Sequence, residues 1–300
     1  MKEVKIQGVA ETPIVVWDSK GGIDRDKTKR LIPYLIDAGI STLFCGGTMG
    51  ETGLMTIEQR KELTDIGIEA AKGKMILLAD PSHNCTRVAV ELSKYAENAG
   101  ADGVMVSLPH NPKPAQEGLY QHYKIIAEGI NIPVFIYSYP AQFGIHIEPE
   151  IIARLAKDGY IHGIKYSSLD VPSMAEIIRL TEGKINVMAG SEPSILTALC
   201  LGCDVIMGIC TSLVPEEFVK VYKLFKTGKV EEAGKQMLAL FGLFNVLTAR
   251  GTKLDMQLVR EGLKMLGHDV GDSPMPLSTK VSQLEKEQLR QELKKLGKLE

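Results

Sequence analysis

Between residues 5 and 209 the hydrophobic pattern changes period repeatedly, short β-branched runs giving way to stretches of helical spacing and back. The runs are Lys5 to Ala10, Ser41 to Cys45, Lys74 to Ala79, Gly103 to Ser107, Ile132 to Tyr137, Tyr160 to Lys165, Lys184 to Ala189 and Asp204 to Ile209. The clearest helical stripe is Val88, Leu92, Tyr95, Ala96 and Ala99, stopped by Gly100. Thr56 with Gln59 reads as a capping box ahead of Leu63, Ile66 and Ala70. Asp170 with Pro172 opens a helix carrying Met174, Ile177 and Ile178. Pro33 falls inside the first helical stretch, where it would kink the helix or delay its start, although Leu35, Ile36 and Ala38 run on to Gly39.

Eight strand–helix units in about 225 residues predict a (β/α)8 TIM barrel, an α/β fold. A doubly wound open sheet is the competing topology, but Ala10-Glu11-Thr12-Pro13 after the first run is not a glycine-rich dinucleotide turn. Beyond Lys226 the strand-like runs stop, which divides the chain into a barrel carrying the active site, residues 1–225, and a C-terminal helical domain, 226–300. One of its stripes holds Leu254, Leu258, Leu263 and Leu266. The last helix opens at Ser282 with Glu285 as a capping box and carries Leu289, Leu293 and Leu296. The segment Gly271-Asp272-Ser273-Pro274 connects its last two helices.

Composition narrows the class. A net charge of −2 gives no electrostatic reason to expect nucleic acid or an anionic membrane as a partner. No apolar run reaches the roughly 18–20 residues of a membrane span. Met1-Lys2-Glu3-Val4-Lys5 leads into the chain without the hydrophobic core of a secretory signal, so a cytoplasmic protein is expected. Five cysteines at irregular spacing suit reduced thiols. Cys200 and Cys203 stand at the far end of a helical pattern, so this C-x-x-C reads as two buried small hydrophobes rather than a redox or zinc motif.

In a barrel of this kind chemistry sits at the carboxyl ends of the strands. Lys165 closes the sixth run, where apolar walls would disfavour the ammonium and free a nucleophilic amine able to condense with a ketone. Tyr137 ends the neighbouring fifth run and can shuttle protons to and from that amine. After the second run, Gly46-Gly47-Thr48-Met49-Gly50-Glu51 can turn successive N–H groups toward a carboxylate, with the Thr48 hydroxyl relaying a proton to Tyr137. Each has a plainer alternative: a solvated lysine, a core aromatic with a wet tip, a tight turn. Their coincidence at one barrel end favours a site.

At these residues the chain resembles the dihydrodipicolinate synthase/N-acetylneuraminate lyase family of class I aldolases. Gly47-Thr48-Met49-Gly50-Glu51 is similar to that family's G-T/S-T-G-E loop, and Tyr137-Ser138-Tyr139-Pro140 with Gly144 to its Y-N-x-P-x-x-T-G segment. Gly163-Ile164-Lys165 matches its G-x-K, Gln116 to Tyr123 resembles the start of its fourth helix, and the C-terminal helices resemble its helical domain. The resemblance implies a Schiff base on Lys165, Tyr137 as proton donor and acceptor, and Thr48 as relay. It also implies a carboxylate clamp from the amides of Thr48 and Met49 beside Gly47, and pocket-lining roles for Gly190 and Met207. No metal, nicotinamide or pyridoxal is implied, the covalent imine replacing a cofactor. The implied partner is a small-molecule 2-keto acid, with the chain forming a homo-oligomer, tetramer or dimer.

The departures bear on the substrate. Gln142 stands where the synthases carry an arginine that grips the aldehyde's carboxylate. Asn111, after Pro109 and His110, replaces a tyrosine that completes the relay across a subunit interface in many members. Met49 replaces a hydroxyl residue, and Tyr166 an acid. Glu192 lies where related lyases contact sugar hydroxyls. These features favour a lyase that cleaves, condenses or dehydrates a 2-keto-3-deoxy-type acid. Condensation of pyruvate with aspartate semialdehyde (4-hydroxy-tetrahydrodipicolinate synthase) is the alternative, a non-catalytic 2-keto-acid-binding barrel a third. A phosphate-handling isomerase using the Gly190 loop lacks the anion cradle it would need. His110 could reach the distal part of a substrate or simply face solvent. His83 and His122 read as surface residues, and Trp17 as packed beside the turn at 18–22, without a function.

Overall fold

A computed structural model describes residues 4–71, 73–250, 256–274 and 279–300. Residues 1–3 and Leu254, the first leucine of the C-terminal domain's Leu254–Leu266 stripe, lie outside them. Eight parallel strands, each hydrogen-bonded to the next and β8 to β1, close a barrel. They are β1 Gly8–Glu11, β2 Thr42–Cys45, β3 Ile76–Ala79, β4 Gly103–Ser107, β5 Val134–Ser138, β6 Gly163–Tyr166, β7 Asn186–Ala189 and β8 Val205–Ile206. The covering helices are α1 Arg25–Ala38, α2 Ile57–Ala71, α3 Thr86–Ala99 and α4 Gln116–Glu128, then the single turn α5 Pro140–Phe143 and α6 Pro149–Lys157. After them come α7 Val171–Thr181, α8 Ile195–Leu201 and α9 Pro215–Lys226. Beyond Lys226 follow α10 Val230–Thr248, α11 Met256–Met265 and α12 Gln283–Lys295.

Strand alternation builds two cores. Ala10, Phe44, Leu78, Met105, Phe135 and Val205 fill the barrel, while Val9, Leu43, Val104, Ile136, Ile164 and Ile206 face the helices. The expected caps hold their helices in place. Thr56 N–H donates to Gln59 Oε1 at 2.9 Å and Gln59 N–H returns to Thr56 Oγ1 at 3.2 Å, and Asp170 accepts from Ser173 N–H at 3.0 Å. Gly100 ends α3 at φ 102. α10 packs on α9 and α12, and both α10 and α11 reach the 3-10 turn Ile209–Ser212 that follows β8. The segment at 271–274 leads from α11 toward α12 as expected. Among the described residues no helix is long and apolar enough to cross a membrane.

Several expectations are corrected by local geometry. The first strand begins at Gly8 rather than Lys5; Gly8 has φ 105, and Ile6 below it bonds the side chain of Asn186 instead of a ladder partner. The last ends at Ile206 rather than Ile209, because Gly208 N–H turns to the Thr211 hydroxyl. Pro33 neither delays nor divides α1: Asp24 caps the helix, and the proline sits on its exposed side, so only one backbone bond is forgone. His122 is not a surface residue. It is 4% exposed, its Nδ1 lies 2.9 Å from Thr86 Oγ1, and burial pulls its pKa down to about 4. His83 is half-buried, with Nδ1 accepting from Cys85 N–H at 2.9 Å. Cys203 is buried as expected, whereas Cys200 on the outer face of α8 is exposed.

Candidate active site

Lys165 leaves β6 toward the barrel interior, in register with Tyr137 of β5 on one side and Met188 of β7 on the other. Ile164 and Tyr166 point the opposite way, into the helical layer. The lysine is 6% exposed, and its Nζ stands 4.2 Å from the centre of the Tyr137 ring and 5.8 Å from that of Phe44. Burial lowers its pKa to about 8, against the opposing pull of Glu11, Glu192 and Asp80. A nucleophilic amine is thus accessible near neutral pH. Gly190, just past β7, makes room for the stem: a Cβ there would lie 3.0 Å from Lys165 Cε and 2.1 Å from Ser167 Oγ.

Tyr137 is buried, and burial raises the phenol's pKa above its ordinary value, so it carries its proton. Its hydroxyl lies 3.3 Å from Thr48 Oγ1. The loop bearing Thr48 turns through Gly46 and Gly47 at φ 141 and 66, conformations that favour glycine. Gly47 N–H donates to Asp80 Oδ2 at 2.7 Å, and Gly50 and Glu51 N–H return to Gly46 and Thr48 carbonyls at 3.1 Å each. Among the described residues the N–H groups of Thr48 and Met49 have no protein acceptor. Two adjacent amides are thus left for an anion. The Gly47 amide, placed beside the clamp from sequence, is instead spent on Asp80.

Lys165, Tyr137, Met49, Gly190, Glu192 and Met207 line one cavity of about 620 Å³. Thr48, Gly47 and Gln142 line a second cavity, of about 1080 Å³, which meets the first at Tyr137. Gln142 is exposed and does not face the lysine cavity. Asn111 lines neither; it is exposed, with its N–H 3.3 Å from Asn84 Oδ1. His110 lines the second cavity and stacks on Phe143 at 5.4 Å. Glu192 accepts from Cys210 N–H at 2.9 Å, and burial raises its carboxyl pKa.

Four charged residues at this end of the barrel went unassigned from sequence. Glu11, ending β1, accepts from the Ser212 hydroxyl, its Oε2 has no partner among the described residues, and burial pushes its pKa well above the carboxylate range. Asp80, next after β3, accepts from Gly47 N–H, from Thr52 Oγ1 at 2.9 Å and from Ser82 N–H at 3.0 Å. Glu51 and Arg260 form a buried ion pair that includes the Trp17 indole N–H, so Trp17 does more than pack beside its turn. An acid at the carboxyl end of a barrel strand, as the last residue for Glu11 and the next one on for Asp80, was the available signal. No local pattern marks Arg260.

The sequence model described as "Dihydrodipicolinate synthetase family" matches residues 5–296. A 4-hydroxy-tetrahydrodipicolinate synthase from Acetivibrio thermocellus is 32% identical over 96% of this chain and 97% of its own. One from Methanopyrus kandleri is 30% identical over 98% of each chain. Among solved structures, a dihydrodipicolinate synthase from Thermotoga maritima superposes with a TM-score of 0.91 at 29% identity, covering 98% of this chain and 99% of that one. A prophage protein of the same family from E. coli K12, in complex with pyruvate, gives 0.92 at 25% identity, covering 98% of this chain and 99% of that one. A buried amine at the carboxyl end of β6 and a family match spanning almost every residue lead to one conclusion: the chain belongs to the dihydrodipicolinate synthetase family of Schiff-base-forming lyases.

Proposed function

We propose that Lys165 condenses with the keto group of pyruvate or a related 2-keto acid, and that the enzyme makes or breaks a bond at the adjacent carbon. The observation that carries this is the buried Lys165 amine held over the Tyr137 ring inside a cavity. The substrate carboxylate is received by the Thr48 and Met49 N–H groups, which orients the ketone toward the amine. Nitrogen adds to the keto carbon, and the carbonyl oxygen takes a proton to give a carbinolamine. Nitrogen gives up one of its two protons, the hydroxyl takes up one and leaves as water, and the iminium, still carrying one N–H, remains. The protonated Tyr137 phenol donates and recovers these protons, with Thr48 as its neighbour in the relay. The iminium is the electron sink for the adjacent carbon, so no further cofactor is invoked.

The cavity wall supports a hydroxylated partner. Ser167, Ser168, Ser191, Thr248, Tyr139 and Glu192 line it, and among the described residues Lys165 is its one cationic side chain. A distal carboxylate would meet no guanidinium there, which favours the neutral chain of a 2-keto-3-deoxy acid. The relatives named 4-hydroxy-tetrahydrodipicolinate synthase support the second reading, condensation of pyruvate with aspartate semialdehyde. The experiment is a panel pairing pyruvate with aspartate semialdehyde or with uncharged hydroxyaldehydes, run alongside 2-keto-3-deoxy acids in the cleavage and dehydration directions. Preference for the uncharged partners supports the first reading. Preference for aspartate semialdehyde reverses the order, and pyruvate binding without any turnover returns the chain to a non-catalytic barrel. The proposal includes a homo-oligomer, dimer or tetramer, measured by sedimentation, and a cytoplasmic location, which the five free thiols suit.

A further inference from the structure

The turn from Gly46 to Glu51 contains three glycines and two internal backbone bonds that close it on itself. Such a segment has little stiffness of its own, so its shape must be imposed from outside. Asp80 fixes one end through Gly47 N–H. The other end is Glu51, a non-glycine residue at φ 53. A side chain in that region is held by its surroundings rather than by local preference.

Those surroundings come from three distant parts of the chain. The Glu51 carboxylate accepts from Trp17 Nε1 at 2.7 Å, from the Ser273 hydroxyl and from the Arg260 guanidinium. Arg260, on α11, is completely buried. Its Nε donates to Ser273 Oγ at 2.9 Å, one terminal nitrogen to Val270 O at 2.8 Å, and the other to Val15 O at 2.7 Å as well as to Glu51. Every nitrogen of the fork is engaged, which fixes the carboxylate in position and in orientation.

The geometry points to Arg260, with Trp17 and Ser273, as positioning residues for 2-keto-acid recognition: they lock Glu51 and so keep the Thr48 and Met49 amides aimed at the substrate carboxylate. The helical region after Lys226 is then a working part of the site rather than a covering. This rests on the Schiff-base function proposed above. The effect is larger for a ketone that carries a carboxylate, because Lys165 on β6 is held by its own strand and by Tyr137, and a ketone without one shares only the loop's Thr48 hydroxyl, bonded to Tyr137.

The test uses the full chain and the variants Trp17→Phe, Ser273→Ala and Arg260→Lys. The second-order rate of borohydride-trapped adduct formation is measured with pyruvate and with hydroxyacetone, which keeps the ketone and lacks the carboxylate. The pyruvate rate is expected to fall about 10-fold in Arg260→Lys and about 3-fold in each milder variant, with a clearly smaller loss of the hydroxyacetone rate in every case. A proportional loss with both ketones, or an unchanged pyruvate rate in folded variants, overturns the inference alone. A parent protein that forms no pyruvate adduct overturns the proposed function with it. Should Arg260→Lys fail to fold, Ser273→Ala, which removes only the hydroxyl that donates to Glu51, decides between these outcomes, with Trp17→Phe, which removes the indole N–H and part of the ring, beside it.

Discussion

The Lys165 ammonium nitrogen stands 4.2 Å above the centre of the Tyr137 ring, with both side chains withdrawn from solvent. A ring face attracts a cation, whereas burial disfavours one, and burial is the larger effect here, leaving a pKa of about 8. Imine formation should therefore accelerate as pH rises and level off above about 8. Initial rates of adduct formation with pyruvate between pH 6 and 10 measure this, and a profile still rising toward the ordinary lysine range contradicts it.

The same depression has a stability consequence. Between about 8 and the unfolded value of 10.5 the unfolded chain holds a proton that the folded chain lacks, so Lys165 makes stability rise with pH across that window. Below it the folded state carries the full cost of a buried ammonium. Lys165→Met should abolish adduct formation and stabilise the fold at pH 7 by about 3 kcal/mol, seen as a raised denaturation midpoint.

Removing only the phenolic oxygen separates proton transfer from packing. Tyr137→Phe keeps the ring beneath the amine and its edge contact with Phe44 at 6.0 Å. Turnover should fall by about 100-fold or more, while thermal stability shifts little. Thr48→Val should lose about 10-fold, and Thr48→Ser should restore most of it. Equal losses from Thr48→Val and Thr48→Ser would place the role of Thr48 in its methyl group rather than its hydroxyl.

Gly190→Ala tests whether the space beside the lysine stem is required. The added methyl would fall within 3.0 Å of Lys165 Cε and 2.1 Å of Ser167 Oγ. A cost of about 1–3 kcal/mol is expected, with a larger proportional loss of adduct formation. Chemical denaturation and trapping on the same sample give both numbers.

Glu11 titrates in the opposite sense to an ordinary surface carboxylate. Its folded pKa is raised well above 4.5 by burial, so the stability it contributes is complete below 4.5 and is lost as pH rises toward the folded value. Glu11→Gln keeps the shape and removes the titration. The variant should match the parent at pH 4 and exceed it at pH 8. Parallel stability curves across that range would mean that Glu11 is ionised in the folded protein.

What the sequence revealed and what it hid follow one physical division. Lys165, Tyr137 and the Gly46–Glu51 loop were legible because each sits at the carboxyl end of a strand whose local period could be read. The placement of Gln142 and Asn111 away from the lysine cavity was not, because a loop's direction is set by packing such as the His110–Phe143 stack, not by spacing. Arg260 is 209 positions from its partner Glu51, and no periodicity joins them. His122 was misread because a histidine on a helix gives no sign of which face meets Thr86. Polar groups that pair across the fold become visible only when the barrel closes.

The most direct measurement is borohydride reduction in the presence of pyruvate, followed by peptide mapping of the modified chain. A single reduced adduct on Lys165, lost in Lys165→Met, is the predicted result. An unmodified Lys165, under conditions that label another lysine aldolase, contradicts the imine mechanism.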